Sequence, residues 1–361
     1  MWILLRLAKR LAKTKDKASI LVNTLWILVI LSLLAFAMAW RMSLELKLSN
    51  YFVSQLKDLY AAKAGVMYAM DLLQKRDKTG YDALDDVWAK VQDFSKEVGD
   101  ANFAINNIQD EERKVNLNLG NNDQEIAAKL APLLNNLKEI LDAGDTQKGI
   151  LTDEIIGAIL DWRDSNKSSW IEASKPEPAP SRNGKFRVWE ELLLLKGVEG
   201  NDLIDTNRFE KLRKYFTSYP LDDGRINVNT AEEEVLKAVV LAMNPGSIGI
   251  GDIVIPISPN DASALADWLI AGRIFKTQEA LVESIRNFIL THFSKYIPPE
   301  KTAIAIPIID SIVRPIIKDW LKVNSSVFQI SVEAEIRGSI KKNATVVFDR
   351  SQSQVLYWHE D

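Results

Sequence analysis

The sequence predicts an α+β fold: one very long amino-terminal helix, a small antiparallel sheet, and a large all-helical block inserted into the sheet's sequence. Three observations predict it. Ile20 to Trp40 is a run of 21 uncharged residues, and helical periodicity continues well beyond it. The carboxy-terminal segment alternates apolar and polar residues with a period of two. Between them, residues 123–320 are mostly helical by pattern and repeat internally.

The run Ile20–Trp40 is long enough to cross a bilayer, which needs about 20 residues. Beyond it, Phe52, Leu56, Leu59, Tyr60, Met67, Met70 and Leu73 recur at helical spacing, with Lys57, Asp58, Lys63, Asp71 and Lys75 between them. No proline interrupts residues 19–78, and Gly65 is the one glycine there. One helix from Ser19 to Gln74 is expected, roughly 80 Å long at about 1.5 Å per residue. Residues 1–18 precede it as a basic leader, with six Lys or Arg against Asp16. That charge ahead of the span places the amino terminus in the cytoplasm and the body outside. The apolar run also exceeds the h-region of a secretory signal, about 7–15 residues, so ordinary signal cleavage is disfavoured.

After Lys78-Thr79-Gly80, which ends the helix, Asn102–Gln109 and Lys114–Asn118 flank Asp110-Glu111-Glu112 and suggest a β-hairpin. Glu111/Glu112 and Glu190/Glu191 are expected to lie on solvated faces. The block 123–320 holds a linker at 171–184, with KPEPAPSRNG at 175–184, and an irregular insert, NPGSIGIGDIVIPISPND, at 244–261. In Val327–Arg337, Phe328, Ile330, Val332, Ala334 and Ile336 alternate with polar residues as in a half-buried strand. Gly338 turns, Ala344–Asp349 returns, and Gln354–His359 forms a third strand. The domains are thus 1–18, 19–122, 123–320 and 321–361.

The inserted block repeats. Val115-Asn116-Leu117-Asn118 matches Ile226-Asn227-Val228-Asn229, Ile159-Leu160-Asp161-Trp162 matches Leu265-Ala266-Asp267-Trp268, and Phe186 with Leu192 matches Phe275 with Leu281. Each copy orders an Asn-rich turn, an amphipathic helix, a Trp-bearing helix and a short closing helix, as helix-hairpin-helix units do. Such units grip DNA phosphates through a glycine-rich hairpin. Here Val239-Val240-Leu241-Ala242 stands where that hairpin belongs, and Lys196-Gly197-Val198 brings one glycine. Without the leader the chain has 39 basic against 48 acidic side chains, which repels phosphate. No nucleic acid partner is expected.

Enzyme chemistry finds no constellation. The two histidines, His292 and His359, lack a metalloprotease or nucleophile-elbow context. With no cysteine, disulfides and thiolate metal sites are excluded. Asp161, Asp164 and Asn166 have the spacing of calcium ligands in an oxygen-rich loop, and equally that of turn caps. Asn23 is the one amide side chain within the span and serves either a neighbouring helix or the membrane interface.

Taken together, the order of these stretches resembles the K-type minor pseudopilins of the type II secretion system (general secretion pathway protein K). The matching segments are ASILVNTLWILVILSLLA (18–35), KAGVMYAMDLL (63–73), YDALDDVWA (81–89), DEERKVNLN (110–118), AILDWRD (158–164), WEELLLLKGV (189–198), GRINVNTAEEEVL (224–236) and the final strands. The resemblance implies a pilin-like fold whose sheet is interrupted by an α-domain of two helix-hairpin-helix, or SAM-like, repeats. It implies cleavage by prepilin peptidase between Ala18 and Ser19, with methylation of the new terminus. Family leaders usually end in Gly, so Ala18 is a departure. It further implies that Asn23 occupies the position where filament-forming relatives carry Glu, and that calcium is held near Asp161, Asp164 and Asn166. The implied role is structural: a single-pass inner-membrane protein with a periplasmic body, at the pseudopilus tip, initiating assembly with I- and J-type minor pseudopilins. The alternatives are a minor pilin of a type IV pilus-like system and a membrane-anchored DNA receptor.

Overall fold

A computed structural model describes residues 2–75, 80–92, 94–144, 147–166, 169–170, 182–197, 199–336 and 341–360, and for residues 3–19 the backbone path only. Helix α1 spans Trp2–Gln74. It therefore starts within the leader rather than at Ser19. The leader is built mostly of Leu, Ala, Lys and Arg, good helix formers, with no Gly or Pro, so nothing in it stops the helix. Within α1, the apolar window of the span is fully exposed in the isolated chain.

The sheet has five antiparallel strands in the order β1 (Phe94–Val98), β2 (Ala101–Asp110), β9 (Val327–Ile336), β10 (Lys342–Asp349), β11 (Gln354–Glu360). The period-two reading of the carboxy terminus corresponds to β9, β10 and β11. The hairpin expected across Asp110–Glu112 does not form. Strand β2 instead turns back on β1 at its other end, pairing Phe94 with Ile105 and Val98 with Ala101. Its long edge pairs with β9, from Ala101↔Ile336 to Asp110↔Phe328. The sequence missed β1 because its five residues are all exposed and show no apolar alternation.

One face of the sheet packs on α1. Ala61, Ala62, Val66, Ala69 and Leu73 meet Phe103, Ile105, Phe328, Ile330, Val332 and Val346 in one buried cluster. Gly65 permits the closest approach: a Cβ there would lie 2.6 Å from Val332 Cγ1 and 2.8 Å from a Phe103 ring carbon. Small residues on the helix let a flat sheet face lie directly on its backbone, so stem and sheet share a dry interface.

Everything between β2 and β9 is an insertion into the connection of two neighbouring strands. It comprises β3 (Val115–Asn116), α2 (Asp123–Glu125), α3 (Ala131–Ala143), α4 (Asp153–Arg163), α5 (Thr206–Leu212), β4 (Phe216–Thr217), β5 (Ile226–Asn227), α6 (Glu233–Ala242), β6 (Ser247–Ile250), β7 (Ile253–Pro256), α7 (Pro259–Ala271), α8 (Gln278–His292), α9 (Thr302–Trp320) and β8 (Leu321–Lys322). The insert read as irregular contains the hairpin β6–β7. Val239–Ala242 is the last turn of α6, so no hairpin exists there. The linker residues 171–181 and the turn at Gly338 lie outside the described residues.

The internal repeat is structural. In the first copy the Asn118 amide donates to Phe186 O and its oxygen accepts from Phe186 N, both at 2.8 Å. In the second, Asn229 does the same with Phe275, at 2.9 and 2.7 Å. Each copy also closes with a short parallel pair, β3 with β4 and β5 with β8. The buried Asn side chain supplies both a donor and an acceptor, so one residue ties the turn of each copy to its distant closing segment.

Candidate functional site

Two features carry the chain's chemistry: the stem α1, and a buried polar junction where β2 and β9 meet the insertion. The junction is built from Asp82, Asp110, Glu111 and Glu112, each no more than 2% exposed. The expectation that Glu111 and Glu112 are solvated is therefore wrong. A polar triplet between two apolar runs reads as a surface turn, but here it is the doorway through which the chain enters the inserted domain. The pair Glu190/Glu191 is half-buried: Glu190 accepts from the Tyr357 hydroxyl of β11, and Glu191 from Arg182.

Each buried carboxylate has donors from distant parts of the chain. Asp110 Oδ2 accepts from Ser325 Oγ at 2.6 Å, Thr230 Oγ1 at 2.6 Å and Asn227 Nδ2 at 3.1 Å. Its Oδ1 accepts from the Glu112 backbone N–H at 2.8 Å. Asp82 holds Arg350 in a two-pronged pair at 3.0 and 2.8 Å and accepts from Ser325 N at 2.7 Å. Glu112 accepts from Ser326 and pairs with Lys322 at 2.8 Å; Lys322 also reaches Asp223 at 2.9 Å. Glu111 pairs with buried Lys114 at 2.6 Å and accepts from Thr217. The geometry is that of a fully satisfied polar network, which fixes the relative placement of the parts it joins.

Electrostatics follow from that burial. Desolvation, with the neighbouring Glu112 charge, pushes the Asp110 carboxyl up to about 6, against the hydrogen bonds from Ser325 and Thr230. Burial acts in the same sense on Asp223, but its bonds to Arg225 and the Lys322 charge outweigh it and hold that carboxyl well below the usual range.

The residues singled out from the sequence are placed as follows. Ala18 and Ser19 lie on α1, with side chains outside the described residues. Asn23 is on α1 in the exposed apolar span. Asp161 ends α4 buried, accepting from Ser169 Oγ at 3.0 Å and Trp170 N at 2.7 Å. Asp164 Oδ2 accepts from Asn166 Nδ2 and Trp170 Nε1, both at 2.5 Å. Calcium takes six to eight oxygen ligands. Among the described residues no three His, Cys, Asp or Glu side chains group to hold a metal. These two carboxylates accept from protein N–H and O–H donors of the loop after α4, part of which lies outside the described residues. Of the histidines, His292 Nε2 lies 2.8 Å from Asp261 and stacks on Phe288, tying α8 to α7. His359 sits in β11.

Sequence reasoning missed the junction. The signal was present: Asp82, Asp110–Glu112 and Arg350 all border apolar segments, but their common destination is set by the fold.

No protein-family model matches the sequence, and no curated protein matches it. Among solved structures, one chain of the crystal structure of the GspK-GspI-GspJ complex from the enterotoxigenic Escherichia coli type 2 secretion system is similar in fold. The TM-score is 0.53 at 16% identity, over 85% of this chain and 96% of that one. The overall fold, with its long amino-terminal helix and small antiparallel sheet, is thus similar to that of this chain of the complex.

The raised Asp110 carboxyl gives a pH-dependent stability with a definite sign. The folded chain keeps this proton to about pH 6, whereas an ordinary Asp releases it near 3.8. The contribution is therefore full below 3.8 and is lost as pH rises through 6. Relative to Asp110→Asn, the soluble fragment 45–361 should lose about 3 kcal/mol between pH 4 and 7 in urea denaturation. An offset independent of pH contradicts the assignment.

Proposed function

We propose that this chain is a K-type minor pseudopilin of a type II secretion system, a structural rather than catalytic component. The observation that carries the reading is the fold match, at a TM-score of 0.53 over 85% of this chain and 96% of that one. In this reading α1 anchors the chain once in the inner membrane, with the body in the periplasm. The apolar stem joins a bundle of like stems, and the helical domain caps it at the tip. I- and J-type minor pseudopilins are the partners with which it starts assembly. Asn23 supports the terminal position: a stem without an acid there has no charge to neutralise the amine of a subunit ahead.

Processing by prepilin peptidase between Ala18 and Ser19 belongs to the same proposal. The cut removes the basic leader and frees the apolar span to enter the bundle. Replacing Ala18 with a bulky or charged residue should leave the protein at precursor size on a gel, and unchanged processing contradicts the assignment. The role itself is tested by co-purifying the soluble fragment 45–361 with candidate I- and J-type heads. A stable three-chain complex is expected. No complex, together with salt-sensitive binding of duplex DNA, overturns the reading in favour of a DNA receptor.

A further inference from the structure

The end of α4 carries a buried cation with no acid to balance it. Arg163 is 5% exposed. Its Nη1 donates to Leu117 O at 2.6 Å and its Nη2 to Gly120 O at 2.7 Å, two neutral carbonyls of the first Asn-rich turn. A guanidinium has five N–H donors, so most of the fork is left over, and the buried Nε–H has no acceptor. Among the described residues no carboxylate pairs with Arg163, and no neighbouring charge offsets its burial. Asp161 and Asp164, beside it in sequence, accept from Ser169 and Trp170 instead. A buried charge without a counter-charge is costly.

The second copy of the repeat shows what is missing. There half-buried Arg273 donates through Nη2 to Ala231 O at 2.8 Å. That carbonyl lies two residues after Asn229, as Gly120 lies two residues after Asn118. The Arg273 Nε–H also has no acceptor, but the Glu232 and Glu233 charges act on this guanidinium. Holding the turn is thus common to both copies, and only the first leaves the charge unbalanced.

Arg163 lines a cleft of about 590 Å³, together with the donor-bearing side chains of Asn121, Gln124 and Lys185. Asp123 is the one acid in the lining, and its oxygens already accept from Ser165 N at 2.9 Å and Ser165 Oγ at 2.7 Å. Lys185 reaches Leu221 O at 2.7 Å and Asp222 at 2.8 Å, but the Asp222 side chain is 93% exposed, so that ion pair is weak and gives way easily. We propose that this cleft binds one carboxylate group, held by Arg163 and Lys185 with help from the amides of Asn121 and Gln124. The planar guanidinium fork matches the two oxygens of a carboxylate. The Asp123 charge that remains in the cleft selects a single negative charge over the two of sulfate. The carboxylate comes from a free small acid or from an Asp or Glu side chain of another protein. The site goes beyond the role proposed above and does not depend on it.

The test is a titration of sodium acetate into the full chain in detergent, at constant ionic strength against sodium chloride. Nuclear magnetic resonance follows the Arg163 Nε–H and the backbone amides of Gly184 and Lys185. A saturable shift of all three with acetate, absent with chloride, is expected. Gln124→Glu adds a negative charge to the cleft and Lys185→Gln removes a positive one, and neither residue is among those that Arg163 holds. Each should weaken acetate binding at least about threefold. Arg163→Gln, with its folding checked by a thermal melt, should leave the Gly184 and Lys185 amides unmoved; if it does not fold, the two cleft variants decide. No shift in the unmodified chain, unchanged affinity in both cleft variants, or sulfate binding as tightly as acetate overturns the proposal. N-acetylglutamate amide separates the two sources: binding several-fold tighter than acetate assigns the site to a protein side chain, and equal binding assigns it to a free acid.

Discussion

The need to satisfy buried charge at the point where the chain leaves its sheet governs the rest of the structure. Asp82, Asp110, Glu111 and Glu112 are almost wholly removed from water. A buried carboxylate without partners costs several kcal/mol, so each must find donors. The donors come from both sides of the insertion: Asn227 and Thr230 from the helical domain, Ser325, Ser326 and Arg350 from the returning strands. The network thus forms only when the helical domain is folded and both its ends have come back to the sheet. A domain of roughly 200 residues can then sit in one strand connection without loosening the two strands it separates.

The same economy of means recurs inside the insertion. Asn118 and Asn229 each reach a closing segment through a paired donor and acceptor, to Phe186 and Phe275. The second copy also feeds the junction, since Asn227 stands two residues before Asn229 and donates to Asp110. Its counterpart Asn116 donates instead to the carbonyls of Pro220 and Asp223. The helical domain further leans on the outer face of the sheet, where Trp189 meets Tyr357 with ring centroids 4.8 Å apart.

The parts of the fold legible in sequence are those set by local pattern. The stem shows in the uncharged run and in Phe52–Leu73, and the final strands in the alternation from Phe328 to Ile336. The repeat shows in Asn116/Asn118 against Asn227/Asn229. What was illegible depends on distant partners. Glu111 and Glu112 look like a surface turn because, Lys114 apart, their side-chain partners Thr217, Ser326 and Lys322 lie more than 100 residues away. The β1–β2 hairpin was hidden because β1 is exposed on every residue, and the false hairpin was chosen because Val115–Asn116 is apolar enough for a strand but pairs with Phe216–Thr217 instead. Of the candidate site residues, Asp161, Asp164 and Asn166 were legible as an oxygen-rich polar loop after a helix, but spacing alone did not reveal that Asp161 and Asp164 are buried and accept from Ser169 and Trp170.

The stem packs on the sheet and the sheet is tied to the inserted domain through the junction, so the placement of stem and helical domain depends on that network holding. That makes the junction the central claim. Native-state hydrogen exchange on the full chain in detergent tests it most directly, by following the amides of Glu112, Ser325 and Val228 with and without Arg350→Ala. The account predicts that all three exchange together as one slow class and lose protection together in the variant. Loss of protection at Ser325 alone, with Glu112 and Val228 unchanged, would contradict it.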